Sequence, residues 1–262
     1  MTISRRTALG FAPALLRGKA KAGALAVVGD RYHNIDYIRT AFERTLVQEA
    51  GLPIDFTDDV RALSADSLKR YPMLIMLRDG MMWPRGYISG TVKDIVSKPS
   101  VALNEEPVGW ITPEQGAAIK AYAKGGGSIL FFHNVTYIAP YNKDFREVLG
   151  AATLDHPPTR PFAVKVVNRD HPITKGVNDF FVTDEQHYMQ YDGDQKHVLL
   201  RSINEDGLAF KDLGTSCEAG WAYDYGKGRV VYLAPGHLIP TLWNPEYVKL
   251  QKNAVAWLQR RS

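Results

Sequence analysis

Residues 124–134, Lys-Gly-Gly-Gly-Ser-Ile-Leu-Phe-Phe-His-Asn, predict a helix end, a buried strand and a polar turn in direct succession. The glycines at 125–127 favour the end of a preceding helix, because glycine readily adopts the positive φ angles that terminate helices. The apolar run Ile129–Phe132 is short enough to be a buried strand. His133 and Asn134 therefore follow the carboxyl end of a strand, which is where open α/β sheets bind ligands.

The chain before this stretch alternates short apolar runs with helical periods. Strands are predicted at 24–28, 54–56 and 73–77, and helical spacing runs from Ile35 to Leu46 and from Pro113 to Tyr122. Strands separated by helices form parallel sheets with right-handed crossovers. The sequence thus predicts an α/β three-layer sandwich with a mostly parallel central sheet, of the flavodoxin-like type.

The chain after Asn134 is expected to complete this sheet. Further strands are predicted at 163–167, 180–183, 198–201, 220–224 and 229–233, the last two joined by a tight turn at 225–228. Asn244 and Pro245 open a final helix. Residues 81–110 show no regular period, so a long irregular insertion is expected beside the carboxyl edge of the sheet.

Composition limits the class of protein. With 262 residues and 45% hydrophobic content, the chain can bury a full core. No stretch approaches the roughly 20 apolar residues of a membrane span, so no membrane-spanning segment is expected. The net charge is +4 and the pI about 9.0, but lysine and arginine are scattered rather than clustered with aromatic residues. Nucleic-acid binding is therefore not expected.

The amino terminus has the outline of a twin-arginine export signal. Arg5 and Arg6 precede the apolar run 11–16, and Ala20-Lys21-Ala22 is a small-x-small cleavage site. We therefore expect a signal segment at 1–22, a single α/β domain at 23–262 and a periplasmic or otherwise exported protein. The alternative is a basic tail on a cytoplasmic protein. The route exports folded proteins, which favours a bound metal.

Two features are interpreted as structural. Gly125–Gly127 lacks the Gly-x-Gly-x-x-Gly order and precedes its strand, so a dinucleotide-binding loop is not expected. Cys217, the single cysteine, allows no intramolecular disulfide. It lies outside any strand-to-helix turn, which favours a small buried residue over a catalytic thiol.

Three ordered stretches resemble the ThuA-like family, named for trehalose utilisation. They are 125–133, the run Phe-Phe-Val-Thr-Asp-Glu at 180–185, and 225–232 continuing to Gly236-His237. The resemblance implies a fold similar to class I glutamine amidotransferases and a carbohydrate or sugar derivative as the ligand. Those amidotransferases carry a cysteine nucleophile at the turn where this chain has His133-Asn134, so amide transfer is not expected.

Four candidate chemical residues each follow an apolar strand. Because parallel strands place their carboxyl ends on one rim, they are expected to converge despite their separation in sequence; they are His33, His133, Glu185 and His237. Imidazoles with a carboxylate can hold a divalent metal such as zinc, or can divide proton donation and acceptance. The alternative for each histidine is a hydrogen-bonded structural role.

Adjacent residues in an extended chain face opposite sides, so only one of Asp184 and Glu185 can face the pocket. The resemblance assigns the acidic role to Glu185 and leaves Asp184 as a cap. His187 would then lie on the same side as Glu185. His156, His171 and His197 are expected to be structural or exposed. Five loop aromatics near the rim could stack on sugar rings or pack against the insertion: Trp83, Trp110, Tyr137, Tyr141 and Trp243.

The resulting hypothesis is an enzyme that applies acid/base chemistry, with or without a metal, to a sugar hydroxyl, keto group or glycosidic linkage. The expected catalytic residues are His133, Glu185 and His237, and the expected substrate-binding residues are His33, Asn134, His187 and Tyr137. The partner is a small-molecule sugar, and a homo-oligomer is left open. The alternatives are a non-catalytic sugar-binding or scaffold module, and a metal-dependent hydrolase of a non-sugar ester or amide.

Overall fold

The structure is a computed structural model that describes residues 22–82 and 107–261. Within these ranges it contains thirteen strands: β1 Ala24–Val28, β2 Ile54–Thr57, β3 Met73–Leu77, β4 Met81–Met82, β5 Val108–Gly109, β6 Ser128–Phe132, β7 Ala151–Asp155, β8 Arg160–Val166, β9 Phe180–Asp184, β10 Tyr188–Tyr191, β11 Val198–Ile203, β12 Ser216–Tyr225 and β13 Gly228–Leu233. The α-helices there are α1 Ile35–Phe42, α2 Ala65–Leu68, α3 Pro113–Lys124, α4 Lys143–Leu149, α5 Ile239–Leu242 and α6 Pro245–Leu258.

Nine of the thirteen described strands form one large sheet in the order β2-β1-β3-β6-β13-β12-β11-β8-β9. The first five are parallel to one another and constitute the parallel half. The remaining four pair antiparallel and constitute the antiparallel half. Only β12 and β8 run against the common direction, so the prediction of a mostly parallel central sheet is confirmed.

The sheet lies between two groups of helices. On one side α1 packs against β1 and α5, while α6 packs against β6 and β13; on the other, α3 packs against α2, α4 and β13. The strands β1, β3 and β6 are buried at every residue, as continuous apolar runs in a doubly covered parallel sheet require. The predicted α/β sandwich is therefore confirmed.

The glycine stretch ends a helix as expected. The helix α3 begins at a capping box between Thr112 and Gln115 and is capped at its end by Gly125. Gly126 has a φ of 116°, which a side chain would disfavour. The backbone N–H of Lys227, in the β12–β13 hairpin turn, donates to the carbonyl of Lys124. The helix end and the hairpin turn therefore support each other.

Several elements differ from the sequence expectation. The strands β7 and β10 were not predicted and pair with each other outside the main sheet. The helix expected to run from Ile35 changes to π-helical geometry at Glu43–Glu49. The insertion begins and ends in the antiparallel pair β4–β5, while its remainder and the export-type segment, apart from Ala22, lie outside the described residues. No described helix has the length and hydrophobicity needed to cross a membrane.

The antiparallel half curls back toward the parallel half. In a flat sheet β9 would lie five strand spacings, or roughly 24 Å, from β6. Instead β9 contacts the segment that follows β13: Thr241 Oγ1 donates to the carbonyl of Thr183 at 3.1 Å, and Asn244 Nδ2 donates to that of Phe181 at 3.0 Å. The carboxyl end of the edge strand β9 thereby reaches the centre of the rim.

Candidate functional site

His133 occupies a sharp turn directly after the central strand β6. It begins the 3₁₀ helix His133–Tyr137 and has a φ of 51°, in the left-handed region. A non-glycine residue there costs on the order of 1–3 kcal/mol and needs support from its surroundings. Tyr232 Oη donates to the His133 carbonyl at 2.7 Å. A Cβ on Gly236 would lie 2.8 Å from that of His133, so the glycine leaves room for the turn.

Three imidazoles converge on one oxygen of Glu185. Glu185 Oε2 lies 3.2 Å from His237 Nδ1 and 3.4 Å from both His133 Nε2 and His187 Nε2. The residue comes from the end of β9, the strand that the curl of the sheet brings to the rim. Asp184 instead accepts backbone N–H groups of Glu185 and His237 at 2.8 and 3.1 Å. The two adjacent acids therefore have separate roles.

His33 is held by its own carboxylate. Its Nδ1 lies 2.9 Å from Asp30 Oδ1, and its Nε2 lies 2.9 Å from His237 Nδ1. Asp30 Oδ2 also accepts Asn134 Nδ2 at 2.8 Å and the backbone N–H of Asp79 at 3.0 Å. The Asp30 side chain is 1% exposed. This buried carboxylate therefore links the turns after β1, β3 and β6.

The two aspartates of this network have opposite pKa shifts. Burial by itself would raise the pKa of Asp30, but hydrogen bonds from His33, Asn134 and the Asp79 backbone lower it to about 2. Burial together with the nearby Asp30 charge raises the pKa of Asp79 to about 7. Its Oδ2 is buried without a hydrogen-bond partner. Asp30 is therefore ionised at neutral pH, whereas Asp79 is poised near neutrality.

The pKa values of Glu185 and of the histidines around it are also shifted. Burial opposes ionisation of Glu185, but the imidazoles of His133, His187 and His237 outweigh it and hold its pKa well below the ordinary range. Burial lowers the pKa of His237, but the hydrogen bond and charge of Glu185, together with the charges of Asp184 and Asp30, outweigh it, so the net shift is upward. Burial lowers the pKa of His187 far below its usual value. At neutral pH, Glu185 is thus ionised and His187 neutral.

A cavity of about 250 Å³ opens onto this cluster. That volume is below the roughly 300–1,000 Å³ of drug-sized pockets, so it suits one small ring or chain. Its walls are mostly polar or aromatic side chains from the strand-end loops: Tyr32, His33, Asp79, Met81, Asn134, Tyr137, His156, Glu185 and His187.

The structure brings the predicted residues together. One donor atom from each of His33, His133, Glu185 and His237 lies within 4.8 Å of the others. The expected substrate-binding residues Asn134, His187 and Tyr137 line the cavity with His33.

Three ionisable residues of the site were not among the predicted candidates, nor were the cavity-lining Tyr32 and Met81. Asp30 and Asp79 each follow a predicted strand, β1 or β3, which was the available signal. His156 was expected to be structural or exposed because it precedes proline. Instead its ring stacks on His187 with a 4.9 Å centroid separation, and its Nδ1 lies 3.9 Å from Glu185 Oε1. A residue before proline can thus belong to the pocket.

Other candidates lie elsewhere. His171 packs on Trp257 and His197 stacks on Tyr223, away from the cavity. Cys217 is buried in β12, where its Sγ donates to the His187 carbonyl at 3.1 Å, and burial raises its pKa to about 12.

The aromatic residues predicted to lie near the rim differ in how far they are buried. Trp110 is buried, with its Nε1 donating to the Asp79 carbonyl at 2.6 Å. Trp243 is half-buried beside Arg44, and Tyr141 is exposed. Only Tyr137 of the described aromatics in that predicted set lines the cavity, and Trp83 lies outside the described residues.

The arrangement supports two kinds of chemistry. Imidazoles beside an ionised carboxylate can accept and return protons, because the carboxylate orients them and stabilises their protonated form. The same nitrogen and oxygen donors can bind a zinc-like ion.

A comparison with models of known protein families identifies the family of this chain. The family model ThuA, described as trehalose utilisation, matches residues 25–258. This chain belongs to the ThuA family. The family resemblance expected from its glycine stretch, its Asp-Glu pair and its final hairpin is thus confirmed. No curated protein matches the sequence of this ThuA chain.

Solved structures share the fold of this ThuA chain. A ThuA-like protein from Bacteroides uniformis ATCC 8492 is 21% identical, with a TM-score of 0.62 over 95% of each chain. A ThuA-like protein from Parabacteroides merdae ATCC 43184 is 14% identical, with a TM-score of 0.65 over 90% of this chain and 88% of that one. A β-galactosidase from Bacillus circulans sp. alkalophilus is 10% identical, with a TM-score of 0.57 over 94% of this chain but 32% of the enzyme. These likenesses concern the fold alone.

Proposed function

We propose that this ThuA chain is an enzyme that acts on a carbohydrate or sugar derivative by acid/base chemistry in the 250 Å³ cavity. The observation that carries the proposal is the convergence of three imidazole nitrogens within 3.2–3.4 Å of Glu185 Oε2. The family description, trehalose utilisation, supports a sugar as the substrate class.

Glu185 acts in this proposal as the ionised partner that orients His237 and stabilises its protonated form, because the pKa of Glu185 lies too far below neutrality for the carboxylate to hold the proton itself. Its Oε2 faces the imidazoles, while Oε1 lies toward His156 in the cavity wall. In the metal-free site, His237, whose pKa is raised by Glu185, holds the exchangeable proton at Nδ1, which lies 3.2 Å from Glu185 Oε2. Proton transfer by such a positioned pair typically accelerates a reaction by 10²–10⁴-fold.

Two further residues of the cavity wall supply groups for binding hydroxyls. Asp79 Oδ2 and Asn134 Oδ1 are buried without hydrogen-bond partners in the described structure, and both residues line the cavity. Unpaired buried acceptors cost about 1–3 kcal/mol each, and sugar hydroxyls could satisfy them after a small opening. Tyr137 provides an aromatic face.

The test is a screen of wild-type protein against mono- and disaccharides, including trehalose, and their keto and acid derivatives. Binding is followed by saturation-transfer NMR and conversion by mass spectrometry. Glu185→Gln should retain binding but lose about 10²-fold or more of the turnover. Glu218→Gln, which removes a carboxylate paired with Arg201 on β11, is the matched control. Unchanged turnover in Glu185→Gln, or no turnover of any sugar by the wild type, would refute the proposal.

A further inference from the structure

We infer that His33, His133, His237 and Glu185 form a binding site for one divalent transition-metal ion of the zinc type. The inference concerns the same cluster as the proposed function and rests on it only for the relevance to sugar chemistry. Metal content can be measured whether or not a substrate is known.

The strongest observation is the orientation of His133. Its Nδ1 lies 3.0 Å from the Ala234 carbonyl, and a carbonyl only accepts, so this nitrogen carries the ring proton. In the neutral ring, Nε2 then has a lone pair. That atom is buried, makes no hydrogen bond and lies 3.4 Å from Glu185 Oε2. The two facing lone pairs repel each other, so a positive centre must lie between them, and either a second ring proton on His133 or a metal ion would supply it.

His33 is arranged in the same way. Its Nδ1 lies 2.9 and 3.1 Å from the two oxygens of Asp30 and 2.9 Å from Asn134 Nδ2; because the ionised carboxylate only accepts and Asn134 Nδ2 also donates to it, we assign the ring proton to Nδ1. The lone pair of Nε2 therefore faces His237 and the cluster. A carboxylate or a carbonyl behind each histidine is the usual outer support of metal-binding imidazoles, because it fixes the tautomer and increases basicity.

The spacing of the donor atoms also fits. A tetrahedral zinc ion with bonds of about 2.0–2.1 Å holds neighbouring ligand atoms roughly 3.3 Å apart. The observed separations are 3.4 Å for Glu185–His133, 3.2 Å for Glu185–His237 and 2.9 Å for His33–His237. All four donor atoms lie within 4.8 Å of one another, so small side-chain shifts would complete the coordination.

The donor types decide the class of metal. Three imidazole nitrogens and one carboxylate oxygen suit zinc and its neighbours in the transition series, whereas magnesium and calcium prefer oxygen ligands. Coordination through Glu185 Oε2 leaves Oε1 toward the cavity. With four protein ligands a tetrahedral ion has no open position, so it would polarise a substrate oxygen only by expanding to five-coordination.

The test is metal stoichiometry of the full chain after chelator treatment and reloading with Zn²⁺, Co²⁺ or Mg²⁺, read by plasma mass spectrometry and by the visible absorption of Co²⁺. The wild type should bind about one Zn²⁺ or Co²⁺ and no Mg²⁺. The double variant His133→Ala/His237→Ala should lose the ion. The control His171→Ala/His197→Ala removes two histidines outside the cluster and should retain it.

A second variant keeps the test informative if the double variant fails to fold. Asp30→Asn keeps all four ligands but weakens the support of His33, and it should lower metal affinity by about 10–100-fold. Absence of metal in the wild type, or full metal content in His133→Ala/His237→Ala, would overturn the inference. A metal-free wild type whose turnover still depends on Glu185 leaves the proposed function intact, whereas a metal-loaded protein without sugar turnover refutes only that function.

Discussion

The parallel and antiparallel halves of the sheet differ in what they bring to the cavity. The loops after the parallel strands supply Asp30, His33, Asp79, His133 and His237, which are tied to one another or to neighbouring backbone groups. The antiparallel half and its connections supply Glu185, His187 and His156. Imidazoles held by rigid supports thus come largely from one half, and the carboxylate that joins them comes from the other. The site exists only where the halves meet.

The largest expected loss of stability comes from a substitution that breaks the contact between the two halves. Asp184 is fully buried at the end of β9 and accepts the backbone N–H groups of Glu185, His237 and Leu238. Asp184→Ala leaves these donors unpaired and should destabilise the fold by about 3 kcal/mol. Urea unfolding measures the change. Asp224→Ala, at an exposed position on β12, should stay within about 0.5 kcal/mol of the wild type; equal effects would show that the halves are not joined through Asp184.

The second effect is a pH dependence of stability that has opposite directions for Asp79 and Asp30, two acids of the parallel half. The pKa of Asp79 is raised to about 7, so between about pH 4 and 7 the folded protein keeps a proton that the unfolded chain has lost. Its stabilising contribution is full below about pH 4 and is lost as the pH rises through 7. The lowered pKa of Asp30, about 2, acts oppositely: its contribution is present above about pH 4 and is lost as the pH falls toward 2.

Asp79→Asn, which is neutral at every pH, should therefore match the wild type near pH 4. At pH 8 it should exceed the wild type in stability by on the order of 2 kcal/mol. Denaturant unfolding at pH 4, 6 and 8 gives the comparison. A constant difference between the two proteins across that range would contradict the raised pKa of Asp79.

A smaller effect is expected at the strained turn. Gly236→Ala would place a Cβ 2.8 Å from that of His133 and should cost about 1.5 kcal/mol by overpacking. Gly207→Ala is a useful control, because that position has a positive φ but nothing within 4 Å. The loss of stability in Gly207→Ala measures the cost of backbone strain in the absence of a steric clash. If only Gly236→Ala also weakens ligand binding, the turn positions His133.

The smallest effect is expected at Cys217 in the antiparallel half. Burial raises its pKa to about 12, so the thiol should not react with Ellman's reagent until the protein unfolds. Cys217→Ser keeps a donor for the His187 carbonyl and should change turnover less than about twofold and stability by about 1 kcal/mol or less. Rapid labelling of the native protein, or lost turnover in the serine variant, would assign this half a chemical role beyond Glu185.

The strands and the histidines of the parallel half were predicted from the sequence, although Asp30 and Asp79 were missed; in the antiparallel half Glu185 and His187 were predicted, but the strands β7 and β10 were not. The strand ends near His33, His133 and His237 were predictable, because buried parallel strands appear in a sequence as continuous apolar runs with glycines before or after them. The position of His156 at the cavity was not predicted, because it depends on β7 and β10, short strands whose pairing is non-local. The curl that carries Glu185 to His133 follows from sheet twist and packing, which no local pattern encodes.

The contact between His33 and His237 closes a separation of 204 positions along the chain. Such distant partners meet late, since loop-closure entropy must be offset before they interact. A ligand of the completed cluster therefore cannot guide the early steps of folding. It would act afterwards, by mass action on the native state, and would lengthen the lifetime of the folded chain rather than shorten the time needed to reach it.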